Sequence, residues 1–475
     1  MTSATGPAKT NYDVIVVGAG PAGLAAAATT AGAGLSTLVL DENASPGGQI
    51  YRAVTTTPVQ KRSILGEDYW AGSALVADVK ASDAEIIQGA TVWSLDSTLE
   101  LGVSVGGTSR MLRARRVILA TGALERPFPI PGWTLPGVMT AGAVQTLLKA
   151  SGIVPEGRIV LAGTGPLLWL LAAQLLRAGG RIEALLDTTP RRNFLRALPS
   201  ALGFLLSPYF RKGLALRREV ARQVRIVRGV TQLRAEGDGR LAMVAYAAGS
   251  GAERRMPADV LALHQGVAPN VNLAMAAGVA HRWHRIQLCW VPVLDAAGNS
   301  SIQGVAVAGD GAGIGGALAA EVRGRIAGRA AVEAIAPDRA ARLPDRQGLD
   351  QALSRVEAGR AFLDRVFAPP PQFRMPEGDT IVCRCEEVTA AQIAETVDMG
   401  AAGPNQLKAF LRCGMGPCQG RLCGLTVTEL MAKGRGVSPD EIGYYRLRPP
   451  VKPIALAELA DMAHTERAVA AVVRT

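Results

Sequence analysis

The chain has 475 residues, 48% hydrophobic and 19% charged, with a net charge of +11 and a mean hydropathy of +0.19. That balance predicts a globular protein with a large buried core, in roughly three domains at about 150 residues each, and excludes disorder, collagen and low complexity for the bulk of it. The positive charge is mostly arginine spread along the chain, densest over residues 211–228, with no nucleic-acid-reading motif beside it, so no nucleic-acid partner is expected. That patch reads as a solvated helix face; the sharper alternative is a docking face for an acidic partner or a membrane surface.

Two apolar runs raise the membrane question. Residues 159–176 are interrupted by Gly163, Gly165 and Pro166, and residues 194–210 carry Arg196, Pro199 and Pro208. Neither is an uninterrupted span, and the first reads as strand, turn and helix. The N-terminal MTSATGPAKT is polar and has no apolar signal region, so a cytoplasmic location is expected.

Residues 12–17 (YDVIVV) predict a buried parallel strand, followed by GAGPAG at 18–23, an Ala-rich helix over 24–33, and a second strand over 36–40 ending at Asp41. In that turn Gly18 allows the tight bend, Gly20 lets the backbone approach a pyrophosphate, and Gly23 lets the helix pack on the strand; Pro21 and Ala22 complete it. The helix N-terminus then offers free N–H groups and a positive dipole end to the phosphates, and Asp41, 18 residues past Gly23, can accept from ribose hydroxyls. A dinucleotide site is predicted here. Two later strands close on glycine turns: VILATG (117–122), ending at Thr121 and Gly122, and GVAVAGDG (304–311), containing Gly309 and Asp310, before a helix from about residue 317. These segments resemble the motifs of the two-dinucleotide-domain flavoproteins, the glutathione-reductase-like fold. Pro46, Gly47, Gly48 and Gln49, within DENASPGGQIYR (41–52), resemble the flavin-side loop, and Glu42 and Arg52 of that stretch are expected at the cofactor as well. The resemblance implies FAD at this site, with Asp310 on the ribityl chain.

Between these segments the unit repeats: a strand at 158–163, the turn GTGPLL (163–168), a helix to about residue 177 and a strand ending near Asp187. In the resembled family this is the NAD(P)H domain. Here Leu168 stands at the third glycine position, which should push the helix off the strand and crowd a pyrophosphate, so a degenerate repeat is expected. His264, in the return stretch 263–270, is read as packed rather than catalytic. His281 and His284 (HRWHR) could share one face of a helix and are read as surface or packing residues. No CxxC occurs and no cysteine precedes Cys289, which excludes disulfide reduction. Cys289 itself reads as an inert core residue.

Five of the six cysteines (Cys383, Cys385, Cys413, Cys418, Cys423) fall within 41 residues. Such clustering argues for a metal site. If residues 383–385 are extended, Cys383 and Cys385 face one side and can reach one metal atom. Four-cysteine sites hold zinc or an iron–sulfur cluster; the single-residue CxC is tight for zinc, and an upstream flavin makes a 2Fe-2S electron carrier the better match. Capping boxes at Thr389/Gln392 and Ser438/Glu441, and Pro404 in a first helical turn, predict a small helical module. Spacing alone does not choose four of the five thiols. VCRCEEVT (382–389) and GMGPCQGRLC (414–423) resemble the bacterioferritin-associated-ferredoxin-like 2Fe-2S domain, which implies Cys383, Cys385, Cys418 and Cys423 as ligands and Cys413 as a spare thiol.

The order of these motifs, with the tail RLRPPVKPIALAELA (446–460), resembles the α subunits of heteromeric amine and imino-acid dehydrogenases: the A subunit of opine oxidase, the α subunits of D-hydroxyproline and dye-linked proline dehydrogenases, and the B subunit of hydrogen cyanide synthase. The resemblance implies an α/β two-dinucleotide-domain flavoprotein with a small helical C-terminal 2Fe-2S domain. Its expected parts are residues 10–145 with 290–336 (FAD domain), 146–289 (second repeat), 337–378 (connection), 379–445 (cluster domain) and 446–475 (tail). It also implies an electron relay carrying FAD, or ATP in its place, a 2Fe-2S cluster, and FMN at a subunit interface. The implied partners are a substrate-oxidising flavoprotein β subunit of the D-amino-acid-oxidase type, a small ferredoxin-like γ subunit, and a quinone or similar acceptor; the complex is expected to be cytoplasmic or peripheral at the inner face of the membrane. No catalytic residue is expected on this chain. The alternatives are a self-contained NAD(P)H-dependent reductase of an external carrier, and a non-catalytic nucleotide-binding scaffold.

Overall fold

The structure is a computed structural model and describes residues 6–462. The first five residues of the polar leader and residues 463–475 of the expected tail lie outside the described part.

Two α/β units and a cysteine-rich module make up the described chain. The first unit is built on β1 (Asn11–Val17), whose Val14, Ile15 and Val16 are fully buried. A strand covered on both faces has no reason to alternate, which is why it reads as one apolar run. Helix α1 (Pro21–Gly32) follows, then β2 (Thr37–Asp41), β3 (Glu85–Gln88), β4 (Ala90–Leu95), β5 (Glu100–Val105) and β6 (Thr108–Leu119). The sheet order is β3-β2-β1-β6-β5-β4. The first half of the 12-residue β6 forms a hairpin with β5, and its second half runs parallel to β1. The short strand Val305–Val307 returns from far along the chain to pair with Val117–Leu119.

The helix Ala317–Ile335 then packs along α1. Glycines make that approach possible. A Cβ on Gly324 would lie 2.1 Å from the Ala22 carbonyl oxygen, and one on Gly328 would lie 2.9 Å from that of Ala26. Only hydrogen fits at the first of these positions.

The second unit contains β7 (Val138–Thr140), α2 (Ala141–Ser151), β8 (Ile159–Thr164), α3 (Pro166–Arg177), β9 (Ile182–Asp187), β10 (Arg225–Arg228) and β11 (Val260–Gln265). Its sheet is wholly parallel, in the order β10-β9-β8-β11-β7. Residues 138–140, expected in the first unit, hydrogen-bond into this sheet beside Leu261–Leu263. Leu168 is fully buried in one core with Leu161 of β8 and Leu171 and Ala172 of α3, and α3 begins at Pro166 as the pattern requires.

Residues 281–292 form a hairpin of strands His281–His284 and Cys289–Pro292, so the two histidines lie on a strand and not on a helix. The segment 337–378, expected as a connection, is packed: Phe373 is buried against Phe128, and its carbonyl accepts from Gln265 Nε2 at 3.0 Å. It carries the helices Arg346–Glu357 and Arg360–Val366, separated at Gly359, whose φ of +84° favours glycine.

The cysteine module comprises β12 (Ile381–Cys383), β13 (Val388–Thr389), α4 (Ala390–Asp398), α5 (Pro404–Leu411) and α6 (Gly424–Arg435). Both expected capping boxes form. No helix among the described residues is long and apolar enough to cross a membrane.

The α1 contact yields a stability test. Gly324→Ala should force the two helices apart and cost about 2 kcal/mol, within the range typical of overpacking. Urea unfolding of the variant should show a lower midpoint with an unchanged m value.

Candidate functional site

The N-terminus of α1 is a backbone-lined cradle. Its N-cap is Gly20, which has no side chain to satisfy the first-turn N–H groups. A Cβ on Gly18 would lie 2.4 Å from the Ala120 carbonyl oxygen, and one on Gly48 would lie 2.8 Å from Gly20 Cα. So the turn 18–23, the loop at 47–48 and the end of β6 meet without intervening side chains. Gly309 and Asp310 join them from the far end of the unit: a Cβ on Gly309 would approach that of Ala22 to 2.7 Å, and one on Gly311 would lie 3.5 Å from Thr121 Oγ1. Asp310 Oδ1 accepts from the amides of Gly315 and Gly316 at 2.8 and 2.9 Å, which aims the carboxylate across the start of the long helix. Thr121 Oγ1 donates to Asn270 O at 3.0 Å, and Gly122 O accepts from the Asn270 amide at 2.9 Å, tying this corner to the second unit.

The acids after β2 divide their roles differently from expectation. Asp41 is buried and already engaged: Oδ2 accepts from the Ala19 amide at 2.5 Å, and Oδ1 accepts from the Asn43 amide and Nδ2 at 2.7 Å each. It braces the glycine turn. Glu42 is exposed and pairs with Lys452 of the tail. Arg52 donates from Nη1 to Asn43 Oδ1, while its buried Nε has no partner. An uncapped helix start, glycine-only walls and an orphaned guanidinium N–H suit a ligand with a pyrophosphate and polar groups, as FAD is. Gln49 is exposed on the same loop.

Lys149 was not legible in the sequence. It sits on α2 beside Leu148, with no periodicity to mark it, yet it is 2% exposed. Its Nζ donates to Gln49 O (3.2 Å), Ile50 O (2.9 Å) and Gln145 Oε1 (2.9 Å), holding the 49–50 turn from beneath. Burial and then the nearby Arg52 charge push its pKa down from its ordinary 10.5 to about 7.

In the second unit, the turn 163–168 is buttressed from below by His264. A Cβ on Gly163 would fall 1.6 Å from His264 O, and one on Gly165 would fall 3.0 Å from His264 Nε2. His264 Nδ1 lies 2.6 Å from Glu125 Oε1, and Glu125 Oε2 accepts from the Gly142 amide at 2.8 Å. The histidine is a packed, hydrogen-bonded strut. Cys289 is fully buried, and burial pushes its thiol up to about 11, as suits an inert residue.

The cysteines group in a way the CxC pattern did not suggest. The Sγ atoms of Cys383, Cys413 and Cys423 lie within 4.8 Å of one another, and all three residues are buried. Strand β12 ends at Cys383, and the chain turns over 384–387, so Cys385 does not follow Cys383 onto one strand face. Instead Cys385 lies against Cys418, whose thiol and backbone act on it, and both are half-buried. Cys413, expected as spare, is thus inside the buried trio. Thiols of Cys413 and then Cys423 donate to Cys383 and hold it down at about 2, while Cys413 is pushed up to about 12 by the same bond. A metal centre would replace these thiol–thiol contacts with metal–thiolate bonds. The Tyr445 hydroxyl donates to Cys413 Sγ at 3.3 Å and lies 3.7 Å from Cys423 Sγ. A purely sulfur donor set fits an iron–sulfur cluster or zinc.

The module is docked on the body. Trp133 Nε1 donates to Ile381 O at 2.7 Å, Asn272 Nδ2 to Gln419 O at 2.8 Å, and the Trp283 amide to Asp440 Oδ1 at 2.8 Å. Arg374 and Glu429 form a buried ion pair across the same contact.

Comparison with known proteins agrees with this architecture. The model for "Pyridine nucleotide-disulphide oxidoreductase" matches residues 12–332, and that for "Sarcosine oxidase A3 domain" matches residues 377–462. The A subunit of opine oxidase from Rhizobium meliloti is 50% identical over 97% of this chain and 89% of its own length. The chain belongs to the opine oxidase A-subunit family, within the pyridine nucleotide-disulphide oxidoreductases. It is an oxidoreductase. Hydrogen cyanide synthase subunit HcnB of Pseudomonas protegens is 31% identical over 93% of this chain and 96% of that protein. The solved L-proline dehydrogenase of P. horikoshii shares the fold at a TM-score of 0.70 and 18% identity, covering 94% of this chain and 79% of that one.

The buried lysine sets a pH dependence for this family member. Below about pH 7 both folded and unfolded states carry the proton, and the cost of burying the charge is felt in full. Between about 7 and 10.5 only the unfolded state holds it, so stability rises with pH. Thermal midpoints across that window should climb more steeply for the native chain than for Lys149→Met. Parallel profiles would refute the assignment.

Proposed function

We propose that this chain is the electron-relaying, flavin-binding member of a heteromeric amine or imino-acid dehydrogenase. The observation that carries the reading is the union, in one docked body, of a dinucleotide cradle at α1 and a buried thiol group at residues 383–423. No CxxC occurs in the chain to make the flavin a disulfide reductase. Similarity to the opine oxidase A-subunit over nearly its whole length supports a role within a larger complex.

On this reading, FAD (or ATP in its place) lies with its pyrophosphate on the α1 N-terminus. The turn 18–23 and Gly48 line it, Arg52 Nε supplies a donor, and Asp310 supplies an acceptor to the ribityl hydroxyls. Asp41 acts through the loop it braces, and Lys149 keeps the 49–50 turn in place. Cys383, Cys385, Cys418 and Cys423 are the ligands that family likeness implies for a 2Fe-2S cluster, and the observed trio adds Cys413 to that set of candidates. A flavin exchanges two electrons and such a cluster one, so together they convert pair transfer into single steps. Tyr445, held neutral by burial, keeps a hydroxyl donor on the sulfurs. The partner is a substrate-oxidising flavoprotein of the D-amino-acid-oxidase type, joined by a small ferredoxin-like protein and by FMN at an interface. The acceptor is a quinone or similar carrier, and the complex is cytoplasmic and peripheral to the membrane.

The intact parallel sheet and glycine turn of the second unit favour one competing reading, an NAD(P)H-dependent reductase. The anaerobic visible spectrum of the purified chain separates the two. Dithionite should bleach flavin and iron–sulfur bands that NADH leaves untouched; bleaching by NADH would transfer the assignment to the reductase.

Cys413→Ser tests the ligand set. With Cys413 a ligand, iron and sulfide content and the cluster absorbance should fall while flavin is retained. An unchanged spectrum would return ligation to Cys383, Cys385, Cys418 and Cys423.

A further inference from the structure

Residues 191–207 fold as short helices, Arg191–Ala197 and Ala201–Leu205, joined by a helical turn at Leu198–Ser200. Their inner side is anchored. Asn193 Nδ2 donates to Val366 O and Ala368 O at 3.1 and 2.9 Å, Ala197 is fully buried, and Phe204 stacks on Phe362 at 4.5 Å between ring centroids. Their outer side is apolar. Phe194, Leu195, Leu198, Leu202, Leu205 and Leu206 are all exposed, with Leu195, Leu202 and Leu206 at 69%, 71% and 80%. The anchoring side chains hold the leucines outward, and no segment among the described residues covers them.

The charges around this face are of one sign. From residue 191 to 218 the sequence has seven basic residues and no acidic one. Lys212 pairs with Asp68, but Arg191, Arg192, Arg196 and Arg211 have no carboxylate in ion-pair reach among the described residues. Six large apolar side chains in one patch are more than scattered surface residues require.

We propose that the outward face of residues 191–207 is a membrane-docking surface that inserts its leucines into the headgroup layer of an anionic phospholipid bilayer, with the surrounding arginines on the lipid phosphates. Leucine and phenylalanine beside an arginine rim are the composition of an interfacial helix. Protein interfaces instead concentrate their energy in Tyr, Trp and Arg, with leucine under-represented at hot spots. None of the six outward side chains is Tyr, Trp or Met.

The inference rests on the peripheral-membrane part of the proposed function and gives it an anchor. Its readout is lipid binding, so its failure leaves the electron-relay assignment standing. The full-length chain is floated through a density gradient with vesicles of phosphatidylglycerol and phosphatidylcholine in equal parts, and with phosphatidylcholine alone. Flotation with the anionic vesicles, weakened by salt, is expected. Leu202→Glu/Leu206→Glu should reduce binding about tenfold or more with unchanged circular dichroism, since it removes buried apolar area and adds repelled charge. Arg191→Gln/Arg192→Gln/Arg196→Gln should abolish the preference for the anionic vesicles. A native chain that stays at the bottom of the gradient overturns the proposal, as does a leucine variant that floats equally well. Concentration-dependent dimers that the leucine variant abolishes, without flotation, would assign the face to a second copy instead.

Discussion

The first unit depends on backbones approaching to distances that only glycine permits. Gly23 packs against Gly18, Gly309 against Ala22, and Gly324 against the Ala22 carbonyl. These contacts close β1, α1, the end of β6 and the helix Ala317–Ile335 into one body, although some 190 residues separate β6 from the strand Val305–Val307. The same contacts leave the α1 N-terminus without a side chain across it. Close packing and an open helix N-terminus both follow from glycine at these positions.

The insertion of the second unit follows from that closure. Once Val305–Val307 is held beside β6, everything between must leave and return at one edge, and the second parallel sheet does so. Asn270 records the junction, bonding Thr121 and Gly122 of the first unit from the return of the second. The glycine turn at 163–165 is kept, but the space beneath it is taken by His264 and Glu125. That pair makes the turn a packed corner.

The cysteine module is small but has a core of its own, in which Val382, Ile393, Leu407, Val427 and Met431 are buried. Much of its placement comes from hydrogen bonds to the body and from the Arg374–Glu429 pair, which is strongly destabilising to break once buried. A module placed in this way has its thiol group seated against the body. The Tyr445 hydroxyl on Cys413 and Cys423 ties the interior of the module to the segment leading into the tail.

Local patterns carried much of this in the sequence alone. The strand, glycine turn and helix at 11–32, its repeat at 159–177, both capping boxes and the clustering of five cysteines were legible because each depends on neighbours within a few residues. Likeness to a known family supplied the order of the parts. Tertiary structure alone decided the rest. Lys149 is buried because a loop a hundred residues earlier folds over it, and Asp41 turns inward because Ala19 offers an amide. Cys413 joins Cys383 and Cys423 because α5 ends and β12 stops at one place, whereas spacing along the chain had paired Cys383 with Cys385. Chain spacing specifies which side chains share a short element; which ones meet across elements depends on packing, and no local pattern encodes that.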